Sequence, residues 1–263
     1  MQVSTPSIVC MSISAEFGLL FPIVLLIVLR KRLKISVVPF FVGCLTFFLS
    51  AMVLESLMHQ LVLRSAIGAV IQGNVWLYAL YGGLAAGVFE ETGRLCAMKL
   101  MDKKHPNPRT ALMYGAGHGC IEIVMVLGMG MVSNVAMAMM INSGGMEEVL
   151  AQLTGEELEM ATANIQTLAT TPAPTFLVGI AERIIALVLH VGLSVLVWQS
   201  VQYPSQRYLF FAAIGLHALV DFLAVVLQGY GAPIWAIEII LALCTLGIGW
   251  YAWNLYEDEE IFD

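Results

Sequence analysis

The sequence predicts an all-α fold, a polytopic membrane helical bundle of about seven transmembrane helices forming one integral membrane domain over 1–263. Three observations carry this reading. First, 59% of the 263 residues are hydrophobic and only 12% are charged, whereas soluble domains are roughly half apolar and a quarter charged. A single globular core cannot hide that excess, because surface geometry limits the buried share of a chain. Second, the apolar residues are gathered into runs of membrane-spanning length. Third, the basic residues are confined to alternate connections between those runs.

A helix needs about 20 apolar residues to cross ~30 Å of hydrocarbon. Seven runs qualify, at roughly 7–29, 36–63, 74–101, 109–140, 175–198, 208–228 and 233–255. The fourth is overlong and is interrupted by Gly128, Gly130 and a Met-rich stretch, so a kink or an early end is expected there. Arg30, Lys31, Arg32 and Lys34 follow the first run; Lys99, Lys103, Lys104 and Arg109 bracket the turn after the third; Arg207 lies between the fifth and sixth. The opposite connections hold only Arg64. The positive-inside rule makes the basic side cytoplasmic. The N-terminus is then outside and the tail EDEEIFD inside, in a cell (plasma or inner) membrane.

The longest connection, about 142–173, is outside and acidic, with Glu147, Glu148, Glu156, Glu157 and Glu159. It reads as a solvated connector, and its stretch 146–169 also fits an amphipathic helix at the membrane surface. The start of the chain has no positive segment before its first apolar run, so no cleaved signal peptide is expected. Cys10, Cys44, Cys96, Cys120 and Cys244 share no CxxC spacing, which argues against a disulfide framework or a thiolate zinc site. No basic stripe suggests nucleic acid.

Ionisable groups at membrane depth cost about 2.5–3.5 kcal/mol each on insertion scales and default to a functional reading. The third run contains Glu90, Glu91 and Arg94; the fourth, His118 and Glu122; the fifth, Glu182, Arg183 and His190; the sixth, His217 and Asp221. Spacing of i,i+4 predicts one-faced pairs Glu90–Arg94, His118–Glu122 and His217–Asp221. At ~1.5 Å rise per residue, all three histidines lie roughly 13–15 Å from the cytoplasmic end and the two glutamates roughly 16–18 Å. Four helices therefore share one polar layer. Gly82, Gly83, Gly87, Gly115, Gly117 and Gly119 beside these groups permit close helix approach and would also let a substrate backbone come near. Glu55 and His59 form a further i,i+4 pair in the outer half of the second run, read as interfacial solvation or a structural hydrogen bond.

A Glu-Glu pair followed by Arg, a His on the next span and HxxxD on a later one resembles the CAAX-protease and bacteriocin-processing (ABI) group of intramembrane proteases. More narrowly, EETGR, GAGHGCIE, AERIIALVLH and HALVD together resemble the YhfC family within that group. The resemblance implies a CAAX-protease-like core over 74–228 and hydrolysis of a peptide bond in a membrane-embedded or lipid-modified peptide. It also implies catalytic roles for Glu90 or Glu91 as base, His118 as the residue holding water, and His217 facing the oxyanion. Arg94, Glu122, Arg183, His190 and Asp221 would support them. Two departures stand out: Arg94 is one residue closer than in EExxxR, and Asp221 stands where the group has Asn.

A metal-free glutamate/histidine mechanism is the expectation on this reading, with no cofactor required. Zinc is the alternative, because His118/Glu122 and His217/Asp221 are N/O pairs at helical ligand spacing. Two other functions use the same residues: a proton relay in a transporter or channel, and a non-catalytic scaffold or immunity protein.

Overall fold

The computed structural model describes residues 2–262, with side chains through Glu257. Most of the expected acidic tail therefore lies, as side chains, outside the described residues. The chain is helical throughout, with no strand among the described residues. Its helices are α1 (Thr5–Leu33), α2 (Val38–Leu63), α3 (Ala66–Gln72), α4 (Val75–Asp102), α5 (Arg109–Ser143), α6 (Met146–Leu150), α7 (Gly155–Thr170), α8 (Thr175–Gln202), α9 (Tyr208–Gly229) and α10 (Ile234–Phe262).

Six stretches, α1, α2, α5, α8, the segment Pro204–Gly229 and Ile234–Glu257, are long and apolar enough to cross a membrane. The seventh expected span, α4, has 28 residues but concentrates Glu90, Glu91, Arg94 and Lys99. The interruption expected in the fourth span is a π-helical stretch, Ile123–Gly128, inside α5. A second π-helical stretch, Phe48–Glu55, lies inside α2 and ends on a buried glutamate. A π turn inserts a residue into the helical ladder and re-aims the side chains that follow.

The chain forms two compact units, Met1–Val24 with Ile123–Arg183, and Leu25–Glu122 with Ile184–Asp263. In the first, a small core gathers Val3, Met11, Ala138, Ile141, Leu168 and Phe176. The acidic connection belongs here, folded into α6 and α7, and Leu168 ties the end of α7 into that core.

The second unit holds every residue of the polar layer except Glu182 and Arg183. Its core is built from α4, α5, α8, α9 and α10 around Met98, Tyr114, Leu193, Trp198 and Leu209. Helix α4 begins where the Asn74 side chain accepts from the amides of Trp76 and Leu77, at 2.9 and 3.1 Å, a cap that satisfies two orphan donors. Apart from Ala85, its buried positions, Ala79, Gly83, Gly87, Glu90, Glu91, Arg94, Ala97, Met98 and Met101, recur every third or fourth residue and make one inward stripe. Two glycines set the helix separations. A methyl at Gly83 would overlap the Ala218 carbonyl of α9, and one at Gly117 would overlap the Phe40 carbonyl of α2. Without side chains there, backbones approach closely and carry their polar neighbours into contact.

Candidate functional site

The inward stripe of α4 delivers two carboxylates and a guanidinium to one level. Helix α5 supplies His118 and Glu122, α8 supplies His190 and Ser194, and α9 supplies His217 and Asp221. Glu90, Glu91, Arg94, His118, His190 and His217 are all buried. The three imidazoles form one group, with ring centroids 4.6 Å apart for His118–His190 and 5.4 Å for His190–His217. The single layer expected from depth counting is present.

The pairing within it differs from the expected one-faced pairs, because close helix packing favours partners across helices. Glu90 Oε2 meets His118 Nε2 at 2.8 Å. Glu122 Oε2 meets His190 Nε2 at 2.7 Å. Glu91 Oε1 meets His217 Nδ1 at 2.8 Å. Arg94 pairs with Glu91, not Glu90: its Nε lies 3.0 Å from Glu91 Oε2, a charge contact rather than an aligned hydrogen bond. The remaining Arg94 donors go to α8: Nη1 donates to the His190 carbonyl at 2.6 Å and to Ser194 Oγ at 2.5 Å, and Nη2 to His190 Nδ1 at 3.1 Å. Among the expected intrahelical pairs, His217–Asp221 is kept, with Nε2 and Oδ2 3.6 Å apart. The Glu55–His59 pair also forms, at 3.1 Å.

These contacts fix protons. A guanidinium only donates, so His190 Nδ1 accepts and its proton sits on Nε2, donated to Glu122. Glu91 accepts from His217 Nδ1 while its other oxygen faces Arg94. His217 Nε2 is then the nitrogen turned toward Asp221, whose side chain is 39% exposed. His118 Nδ1 has no hydrogen-bond partner among the described residues. Arg183 belongs to the first unit, where it pairs with the adjacent Glu182. Ser194, a ligand of Arg94, went unread in the sequence; an isolated serine in an apolar helix carries no signal of its partner.

A metal-binding donor set follows from the same geometry. Glu90, His118 and His190 each offer a ligand atom, all mutually within 4.8 Å and all buried. Two imidazoles and a carboxylate are the three-ligand complement of catalytic zinc sites. Both His190 nitrogens are engaged, Nδ1 by Arg94 and Nε2 by Glu122, so ligation by His190 would require one of these contacts to open. The set fits a divalent metal. Of the four ligands the sequence suggested, His118, Glu122, His217 and Asp221, only His118 is in this group.

Fold and site together define an integral membrane protein with a buried histidine–carboxylate centre. The YhfC intramembrane metalloprotease family model matches residues 17–241, and the chain belongs to that family. It is 34% identical over 253 residues to an uncharacterized membrane protein, YhfC, of Bacillus subtilis, covering 95% of this chain and 96% of that protein. No solved structure matches. The family corrects two expectations. A metal-free glutamic mechanism and the absence of a cofactor give way to a metalloprotease. The physical reason lies in Glu90: it faces His118 across 2.8 Å and sits among two histidine donors, a ligand's position rather than that of an isolated base.

Proposed function

We propose that this protein is an intramembrane metallopeptidase that hydrolyses a peptide bond in a membrane-embedded or lipid-modified peptide. The observation that carries the reading is the convergence of Glu90, His118 and His190 donors within 4.8 Å inside a membrane helix bundle. These three residues would hold the metal. When bound, a divalent ion supplies Lewis acidity to the scissile carbonyl and lowers the pKa of water.

The chain's own residues handle the proton. Arg94 holds Glu91, and Glu91 holds His217 by Nδ1, which leaves Nε2 to take a proton from attacking water and return it to the departing amine. Asp221, 3.6 Å from that atom, steadies the imidazolium that forms between the two transfers. This gives the aspartate a role in place of the oxyanion contact that its charge would oppose. The basic connections support a cytoplasmic placement for the Arg30–Lys34 and Lys103–Arg109 turns, with the N-terminus outside.

The test is digestion of a membrane-peptide library by purified, detergent-solubilised protein, with and without chelator. Cleavage is expected to vanish on chelation, to return with zinc, and to be lost in Glu90→Gln, His118→Ala, His190→Ala and His217→Ala. Full cleavage after chelation, or in all four variants, would overturn the proposal.

A further inference from the structure

Hydrolysis consumes water, and the donor set is closed off from it: Glu90, His118 and His190 are buried, as is His217. Phe47 lies edge-on to His118, with ring centroids 5.2 Å apart. One side of the layer is different. Beyond His217 comes Asp221, 39% exposed. Glu55 of α2 lies within electrostatic reach of both His217 and Asp221. From Glu55 a hydrogen-bonded chain runs outward, through His59 Nε2 at 3.1 Å and from His59 Nδ1 to the Tyr81 hydroxyl of α4 at 2.9 Å. The His59 side chain is 32% exposed.

An exposed carboxylate and imidazole part-way along membrane helices face either hydrocarbon or water, and hydrocarbon is strongly unfavourable for them. The same helices show which face meets lipid: Leu54, Leu57 and Leu61 of α2 and Leu219 of α9 are exposed apolar residues. Glu55 is buried, so the polar chain lies off that leucine face. The π-helical stretch ends on Glu55, as π turns often do at functional residues.

We propose that Tyr81, His59, Glu55 and Asp221, contributed by α4, α2 and α9, line a hydrated passage that delivers water to His217. The proposal rests on the proteolytic reading for its purpose but not for its test. Single cysteines at Asp221, His59, Leu219 and Leu57 are placed in a background whose native cysteines are replaced by serine or alanine. Each variant is reconstituted in liposomes and treated with a charged, water-soluble methanethiosulfonate, which reacts with thiolates in water. Asp221→Cys and His59→Cys are expected to label at least about tenfold faster than Leu219→Cys and Leu57→Cys. Equal rates at all four positions would overturn the passage. Should Asp221→Cys not assemble, as judged by size-exclusion elution, Tyr81→Cys takes its place with the same expectation.

A second measurement uses turnover. His59→Leu is expected to lower kcat with KM unchanged, and His59→Gln to restore it in part; unchanged kcat in His59→Leu would overturn the role in water delivery. Labelling is read without substrate. A protein that labels as expected but cleaves nothing sinks the protease and leaves the passage, whereas intact cleavage with uniform labelling sinks the passage alone.

Discussion

Glu91 Oε1 and His217 Nδ1 lie 2.8 Å apart across 126 residues of chain. Arg94 stands at the other Glu91 oxygen, 3.0 Å away, so the carboxylate is shared between a fixed cation on its own helix and an imidazole on α9. This relationship orients the histidine and closes α4 onto α9 at the polar layer.

Removing the Glu91 charge should expose the cost of that arrangement. Glu91→Gln leaves the buried Arg94 without its counter-charge, and unfolding in detergent is expected to show a loss of about 3–5 kcal/mol. The double variant Glu91→Leu/Arg94→Met, with no charge stranded, should recover most of this while remaining inactive. Equal destabilisation of both would show that the pair does not stabilise through charge neutralisation.

Metal content separates ligands from their supports. The purified protein is expected to bind about one divalent ion per chain, and His118→Ala to lose it. Glu122→Gln should weaken binding about tenfold, because it removes a negative charge beside the cation at His190. Competition against a chelator, followed by elemental analysis, measures both. Native affinity in His118→Ala would remove that residue from the ligand set.

Adjacent glycines on α4 offer a paired packing test. Gly83→Ala places a methyl against the Ala218 carbonyl, whereas a methyl at Gly82 meets nothing within 4 Å. The first is expected to cost about 1–3 kcal/mol, as overpacking does. The second should be neutral or stabilising by up to about 1 kcal/mol, because alanine favours helix over glycine. Thermal unfolding of the two variants side by side decides it.

The Asn74 cap should matter to stability and not to chemistry. Asn74→Ala removes the acceptor for two amides at the start of α4, with an expected cost of about 1 kcal/mol and unchanged metal content. A fall in metal content would mean that the cap sets the register of Glu90.

The sequence made the spans and the shared layer legible, because hydropathy reports length directly and a helix converts residue number into depth. It also marked Glu90, Glu91, Arg94, His118, His190 and His217 as one group. Partners were misassigned: i,i+4 spacing predicted Glu90–Arg94 and His118–Glu122, while the structure pairs Glu90 with His118 and Glu122 with His190. Spacing describes one helix in isolation, and the choice between an intrahelical and a facing partner depends on how near the facing backbone comes. Gly115 brings α8 near α5: a methyl there would overlap the Val191 backbone and press on the His190 carbonyl. His190, read as a supporting residue, joins the donors that could hold a metal because α8 meets α5 at that level, which no local pattern encodes.

The separation of Glu91 and His217 along the chain also bears on biosynthesis. Helix α4 is made long before α9, yet Glu91 and Arg94 are three residues apart on the same helix and neutralise each other without waiting for another span. The charged helix can therefore enter the bilayer early. On the proposed mechanism, the Glu91–His217 pair cannot exist until residue 217 has been synthesised and α9 has docked, so the nascent chain would be hydrolytically silent through most of its translation.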